Sequence, residues 1–245
     1  GVPAAPRVIW MPVSLRIAVS PMSMFYRLPW IAFTWLLLVM SAHAQSARGG
    51  ASSWSLPSTL RLDYQLQGTI KGFHYQASSQ LHWQQQAQRY HLQLDTKLPL
   101  LGTRSQSSDG LIVAQGLSPD RYSEQTRKTH VATVDRKTQK VNFSADGGPV
   151  DWQAGAQDRL SVVLQIGHWL RNQPQQARSG KVFDVQVIGS HDAPVWHFEL
   201  EAQEEVALPM GRVQAYKFRR LPREGRAEDD QVIEFWLAPA YRYLP

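Results

Sequence analysis

GAQDRLSVVLQIGHWLRN, residues 155–172, is the stretch with the clearest helical pattern in the chain. At about 100° per residue, one broad arc is apolar or glycine throughout: Leu160, Val163, Leu164, Ile166, Gly167 and Leu170. The opposite arc carries polar side chains: Asp158, Ser161, Gln165 and His168. Asp158 is placed to cap the helix, and Pro174 prevents it from continuing. We therefore predict a helix over residues 155–172 that packs its apolar arc on a sheet and leaves its polar arc partly in water.

The polar arc contains the residue types of a Ser–His–Asp triad. Such a triad needs hydrogen-bond contact between neighbouring members. Ser161 and His168 are seven residues apart, roughly 10 Å along a helix axis, and cannot touch. We interpret these residues as an ordinary polar face and assign no catalytic residue.

The front of the chain has the pattern of a secretory signal peptide. After Met24, Arg27 supplies a positive charge, Leu28–Met40 is apolar, and Ala42-His43-Ala44 supplies the small residues of a cleavage site. The 13-residue apolar run is shorter than the ~20 residues that span a bilayer. We expect an over-extended or untranslated leader over 1–23, a signal peptide over 24–44 that is cleaved after Ala44, and a periplasmic protein with no stable membrane anchor.

Charge and cysteine content narrow the function classes. The chain has no cysteine, so an exported protein of this sequence is held by its core alone. Of its formal charge of +6, three arginines precede residue 45 and no acid does, which leaves +3. The densest basic stretch, from Lys217 to Arg226, is followed at once by three acids. Because nucleic-acid binding needs a continuous basic stripe, we predict no nucleic-acid partner.

Residues 45–56 are small and polar, typical of a flexible leader, and residues 57–245 are predicted to form one domain. Apolar residues fall on even positions from Leu60 to Ile70 and on odd positions from Phe73 to Trp83. A two-residue turn at Lys71-Gly72 explains the change of parity, because it pairs Ile70 with Phe73 and places Leu60 opposite Trp83.

The next parity change suggests a loop at residues 85–88, with Trp83 opposite Tyr90 and His82 opposite His91. Two facing histidines need further ligands to hold a metal, and none is fixed nearby. His191, Asp192 and His197 lack a diagnostic metal spacing. We predict neither a metal site nor a cofactor.

The remaining chain alternates between short strand patterns and turn signals. Asp109-Gly110 is typical of a turn and Gly116–Pro119 of a chain break, and strands are expected over 120–128, 131–135, 140–144, 181–188, 195–202, 212–220 and 231–237. With nine to eleven strands and one main helix, the predicted fold is mainly β: a curved antiparallel sheet packed on one α-helix.

Four phrases resemble a family of bacterial exported proteins, the domain of unknown function numbered 3108. They are residues 116–122 (GLSPDRY), 155–161 (GAQDRLS), 208–211 (LPMG) and 236–239 (WLAP) with a closing Leu244-Pro245. Ala240 departs from the family pattern, in which an acid follows Ala-Pro. The resemblance implies a periplasmic protein with a half-open barrel like that of lipoprotein carriers, and it implies no catalytic residue.

Three functions remain open at this stage. The first is a non-enzymatic carrier for an apolar small molecule or lipid, favoured by six tryptophans after residue 44. Its candidate ligand contacts are Trp83, Leu164, Trp196 and Trp236. The second is an interaction or scaffold module that binds another envelope protein. The third, an enzyme, is disfavoured because the sequence lacks a nucleophile elbow, a phosphate-binding loop and a dinucleotide fingerprint.

Overall fold

A computed structural model describes residues 7–16, 56–70, 73–98, 102–145, 147–222 and 232–245. Within these residues there are one α-helix, α1 (Ser161–Asn172), and fourteen strands: β1 (Arg7–Arg16), β2 (Thr59–Ile70), β3 (Phe73–Gln86), β4 (Arg89–Leu98), β5 (Gly102–Val113), β6 (Gly116–Gln125), β7 (Thr129–Asp135), β8 (Lys140–Phe143), β9 (Val150–Asp151), β10 (Gln157–Asp158), β11 (Val182–Ile188), β12 (Val195–Leu208), β13 (Gly211–Arg220) and β14 (Val232–Leu237). The predicted signal peptide, the Lys71-Gly72 turn and nearly all of the leader over 45–56 lie outside the described residues.

The strands follow one order, β10-β11-β12-β13-β14-β1-β2-β3-β4-β5-β6-β7-β8-β9. Neighbours are antiparallel except that β10 runs parallel to β11 and β1 runs parallel to β14. β1 joins two antiparallel portions, the eight strands β2–β9 and the four strands β11–β14. Over the described residues β9 and β10 do not pair with each other, so the sheet is curved and open. The predicted fold class is confirmed.

One side chain bridges the gap between the two ends of the sheet. Gln186 of β11 accepts a hydrogen bond from the backbone N–H of Gln153 at 2.8 Å, and its Nε2 donates to the carbonyl oxygen of Asp151 at 2.8 Å. Gln186 is buried, so these bonds are shielded from water. An amide side chain thus satisfies backbone groups at the end of β9 and just past it, where a continuous ladder would otherwise do so.

Helix α1 lies between two hydrophobic clusters. Leu160 and Leu164 belong to a cluster with the inner face of β2–β8, including Leu62, Trp83, Leu92 and Tyr122. Val162, Ile166 and Leu170 belong to a second cluster with β11–β14, including Phe183, Phe198, Phe218 and Phe235. The helix therefore packs on two portions of the sheet, and a short helix of this kind depends on that packing for its stability.

The predicted helix start and its wet polar arc are both wrong. The helix begins at Ser161, because Gln157 and Asp158 pair as a strand with Val187 and Ile188. The polar arc is buried: Gln165 and His168 are each 2% exposed. Gln165 accepts from the N–H of Leu117 at 2.7 Å and donates to the carbonyl of Gln115 at 2.8 Å, which offsets the cost of burial. Polar residues here fasten the helix to a turn.

The first hairpin has the predicted register and the second does not. Ile70 pairs with Phe73 and Leu60 with Trp83, as expected. In the second hairpin Trp83 pairs with Leu92 and His82 with Gln93, a shift of two residues from the prediction. The turn is only Ala87-Gln88, with Ala87 in the left-handed region at φ 53°, so the strands continue further than expected. Because the shift is even, the buried face is unchanged.

Two predicted breaks are parts of strands. Asp109-Gly110 lies within β5 at a bulge opposite β6, and Gly116–Pro119 opens β6. A Cβ at Gly110 would lie 2.3 Å from the carbonyl oxygen of Ser118, so the close approach of the two backbones there requires glycine. The later strands are confirmed within a few residues, except that β12 continues to Leu208. Among the described residues, no helix combines the length and hydrophobicity needed to cross a bilayer.

Candidate functional site

An apolar groove opens where the tip of the β12–β13 hairpin meets β14 and the residues that follow it. All of its lining residues are apolar or aromatic: Leu62, Val206, Leu208, Met210, Val213, Ala215, Trp236, Ala238, Tyr241, Leu244 and Pro245. Met210 is 42% exposed, and among the described residues no other large hydrophobic residue is exposed. A bulge in β12 between Leu200 and Ala202 separates the part of the hairpin that packs on α1 from the part that lines the groove. The groove therefore opens beside the core under the helix, and Leu62 and Leu244 belong to both.

Residues 238–245 form one wall of the groove and are fastened to the helix. The N–H of Ala238 donates to the carbonyl of Leu244 at 3.0 Å, and the N–H of Tyr243 donates to the carbonyl of Ala238 at 2.8 Å. The Arg171 guanidinium of α1 donates to the carbonyl of Arg242 at 2.5 Å. A Cβ at Gly167 would lie 2.4 Å from the carbonyl oxygen of Tyr243, so the helix approaches this wall closely. These contacts give the groove a fixed wall.

Trp236 lies at the edge between the groove and a charged strip. Its Nε1 donates to Glu204 at 2.5 Å, and the Lys217 ammonium lies 6.0 Å from its ring centroid. Lys217 also bonds Glu201 at 2.9 Å and Glu234 at 3.1 Å. Hydrogen bonds to Glu201 and Glu234 raise the pKa of Lys217. The indole is therefore oriented by its polar edge while its ring remains part of the apolar wall.

The groove is small. Its cavity volume is about 40 Å³, a few times the ~10–15 Å³ that one water molecule requires. Sites that enclose a small molecule measure about 300–1,000 Å³. In this conformation the groove has room for an apolar side chain or a chain end, and it does not enclose a whole lipid.

The four predicted ligand contacts are not brought together. Trp83 and Leu164 belong to the first core cluster, where Trp83 stacks on Tyr90 at 5.4 Å between ring centroids. Trp196 belongs to the second cluster and has the Arg220 guanidinium 4.6 Å from its ring centroid. Trp236 alone of the four lines the groove. Ligand contact by these residues stays a prediction, and the groove residues of the β12–β13 hairpin were not predicted from the sequence.

A buried polar network surrounds Asp158 at the start of α1. Its Oδ1 accepts from the N–H groups of Leu160 and Ser161 at 2.9 and 2.8 Å, and its Oδ2 accepts from the Ser108 hydroxyl. The Ser108 and Tyr90 hydroxyls are 2.9 Å apart. Burial raises the pKa of Asp158 to about 6 despite these donors. The carboxylate lies two residues before the N-cap residue Leu160, accepts from the N–H groups at the helix start, and connects the helix to β5.

The histidines do not form the arrangements considered from sequence. His168 bonds Asn172 at 3.0 Å, and burial lowers the pKa of His168 to about 4. His91 bonds Asp109 at 2.6 Å and His197 bonds Asp184 at 2.6 Å. Across the described parts of the chain, no three histidine or acidic side chains are grouped so as to hold a metal.

The four family phrases meet in pairs. Residues 116–122 contact residues 155–161 at the helix start, where Gln157 Nε2 donates to the carbonyl of Leu117 at 2.8 Å. Residues 208–211 and the closing phrase both contribute lining residues to the groove. The first pair organises the core and the second pair lines the groove. The two family phrases that line the groove are therefore the sequence feature from which the groove could have been found.

Comparison with known families gives one match. The sequence model of a family described as "Protein of unknown function (DUF3108)" matches residues 61–245. No curated protein and no solved structure matches the chain. The matched range includes both core clusters, apart from Leu56 and Leu60, and the whole groove.

Proposed function

The chain belongs to the DUF3108 family of proteins of unknown function, and on that premise we propose that it is a non-enzymatic interaction module of the periplasm. In this proposal the apolar groove takes apolar side chains of a partner protein. The observation that carries the proposal is the groove itself, open to solvent, apolar throughout and too small to enclose a lipid. The periplasmic location rests on the signal-peptide pattern over residues 24–44.

Packing supports a surface site over an internal one. Trp83, Leu164 and Trp196, the side chains predicted to line an internal ligand site, are at most 7% exposed and belong to packed clusters. Stacked and edge-to-face aromatic contacts such as Trp196 with Phe198 at 5.9 Å fill that space. Apolar surface left open on a folded protein commonly marks a contact with another molecule.

The second candidate function is binding of an apolar small molecule or lipid in the same groove. The wholly apolar lining favours it, because a lipid tail needs no polar partner. A lipid bound there would insert one end and leave the rest exposed. The mass of a molecule crosslinked to the groove distinguishes the two candidates, because a protein partner is much heavier than a lipid.

In-cell photo-crosslinking tests the proposal. A benzophenone amino acid replaces Met210 in the exported chain, and the matched control carries it at Ala207, which is exposed on the same hairpin and does not line the groove. After irradiation, the adduct is measured by mass spectrometry. We expect an adduct of protein size at position 210 and none at position 207. Leu208→Asp, which places a charge in the groove, should abolish that adduct.

Other adducts decide against the proposal. A lipid-sized mass at position 210 would support the second candidate. Adducts of equal yield at positions 210 and 207, or none at either, would show that the groove is not a binding site.

A further inference from the structure

The mature protein would lack strand β1 if the signal peptide is cleaved as the sequence predicts. β1 comprises residues 7–16, and cleavage after Ala44 would remove it. In the structure β1 pairs with seven residues of β2, from Arg61 to Gln67, and with three residues of β14, Val232, Ile233 and Glu234. We call the position between β2 and β14 the slot.

Removal of β1 would leave two strand edges facing each other across one strand's width. Neighbouring strands are about 4.8 Å apart, so β2 and β14 would stand about 10 Å apart, too far for direct hydrogen bonds. Both edges would present unpaired backbone N–H and C=O groups. Such edges bind an added strand by main-chain hydrogen bonds.

The slot lies beside the apolar groove. Leu62 of β2 lines the groove and pairs with position 15 of β1, so an occupant residue at that position shares the groove face of the sheet. On the other side, Trp236 is two residues beyond Glu234, the last residue of β14 that pairs with β1. A strand in the slot therefore runs along the groove. Every second side chain of that strand is on the groove side of the sheet and can contact the groove.

We propose that the slot is a strand-acceptor site for an extended segment of a partner protein, which runs antiparallel to β2 and parallel to β14 and places apolar side chains in the groove. This inference rests on the proposed function and names the geometry of its partner. Main-chain pairing supplies the affinity, and the groove selects apolar residues at alternate positions.

The test uses the full chain, exported and purified from the periplasm without detergent, with its N-terminus read by mass spectrometry. The probe is the decapeptide of residues 7–16, RVIWMPVSLR, carrying fluorescein, and binding is measured by fluorescence anisotropy. Two further peptides carry backbone N-methyl groups, one at Val8 and Trp10 and the other at Ile9 and Met11. Successive N–H groups of a strand point to opposite neighbours, so each peptide blocks pairing on one side only.

We expect saturable binding of the unmodified peptide and at least about tenfold weaker binding of both methylated peptides, because each loses backbone hydrogen bonds. Equal binding of all three peptides, or binding of none, would overturn the strand-acceptor assignment. Retention of residues 7–16 in the purified protein would also overturn it, because the slot would be filled by the chain itself. If the purified protein is a dimer and the peptide dissociates it, the slot is occupied by a second copy of the chain, and the assignment of a different protein as occupant is wrong.

Failure of the slot and failure of the groove give different results. If the peptides fail while the photo-crosslink at Met210 persists, the slot assignment is wrong and the proposed function stands. If the crosslink at Met210 is also lost, both are wrong.

Discussion

Replacing Asp158 with asparagine isolates the energetics of the buried carboxyl group at the start of α1. Asp158 is fully buried, and burial raises its pKa to about 6 from an ordinary value of 3.8. Asn keeps the side-chain oxygen that accepts from Leu160 and Ser161, so the cap is preserved. The Ser108 hydroxyl, which donates to the carboxylate, can instead accept from the new amide.

The sign of the pH dependence follows from the raised pKa. Below pH 3.8 the carboxyl is protonated in both the folded and unfolded chains, so its charge costs no stability. Between pH 3.8 and about 6 the unfolded chain ionises first, and stability falls as pH rises. Above pH 6 the cost is constant at about 3 kcal/mol, since each pKa unit corresponds to 1.36 kcal/mol. The Asp158→Asn variant lacks this term.

Urea unfolding of the wild-type and variant proteins from pH 4 to pH 8, followed by tryptophan fluorescence, measures the effect. The free energy of unfolding of Asp158→Asn minus that of the wild type should increase by about 2 kcal/mol between pH 4 and pH 7, because the unfolded carboxyl is already more than half ionised at pH 4. Asp135 is the matched control, because its Oδ1 also accepts from two backbone N–H groups, of Lys137 and Thr138, but it is only partly buried.

Hydrogen bonds from Thr138 lower the pKa of Asp135, so Asp135→Asn should change in the opposite direction with pH. A difference for Asp158→Asn that is flat or decreasing with pH would refute the reasoning that burial outweighs the donors around this carboxylate.

Two further variants test the contacts that hold the helix and the sheet ends. Gly167→Ala should lower the free energy of unfolding by about 1–3 kcal/mol, because the new methyl group meets the backbone oxygen of Tyr243, which cannot move away. The control, Gly148→Ala, should not lower it, because its methyl group meets no atom within 4 Å. Equal urea midpoints for the two variants would contradict this prediction. Gln186→Ala should cost about 1–3 kcal/mol per orphaned backbone group and speed amide exchange at Gln153; unchanged exchange there would show that the side-chain bridge is unimportant.

The sequence predicts strand faces well because alternation follows from the geometry of a strand. The first hairpin has the expected register because parity pairs even with odd positions and the turn signal Lys71-Gly72 selects the register that joins Ile70 to Phe73. The second hairpin turns at Ala87, a residue with no turn preference, and apolar alternation cannot distinguish registers that differ by two. The odd or even numbering of the apolar residues therefore predicts which face of the strand is buried, and it does not predict where the turn lies.

The start of the helix and the burial of its polar arc depend on distant partners. Asp158 binds two N–H groups and pairs with β11, so the helix begins six residues later than its period suggests. Gln165 is polar and buried because its amide matches the backbone of a turn some 50 residues away. No local pattern reports such a match.

The groove was only partly accessible to sequence reasoning. Trp236 was a candidate because tryptophan is a common ligand contact, but Trp83 and Trp196 carry the same local signal and are core residues. What separates them is a bulge in β12 and the path of residues 238–245. The two family phrases at the groove were visible in the sequence, and their proximity was not.

A disulfide crosslink tests the joint account of slot and groove most directly. The chain has no cysteine, so Gln65→Cys introduces a single thiol on an exposed position of β2 that pairs with position 11 of β1. A peptide of residues 7–16 with cysteine in place of Met11 should form a disulfide with it, and one with cysteine in place of Leu15 should not, because Leu15 pairs with Leu62. Equal crosslinking of both peptides, or of neither, would contradict the account.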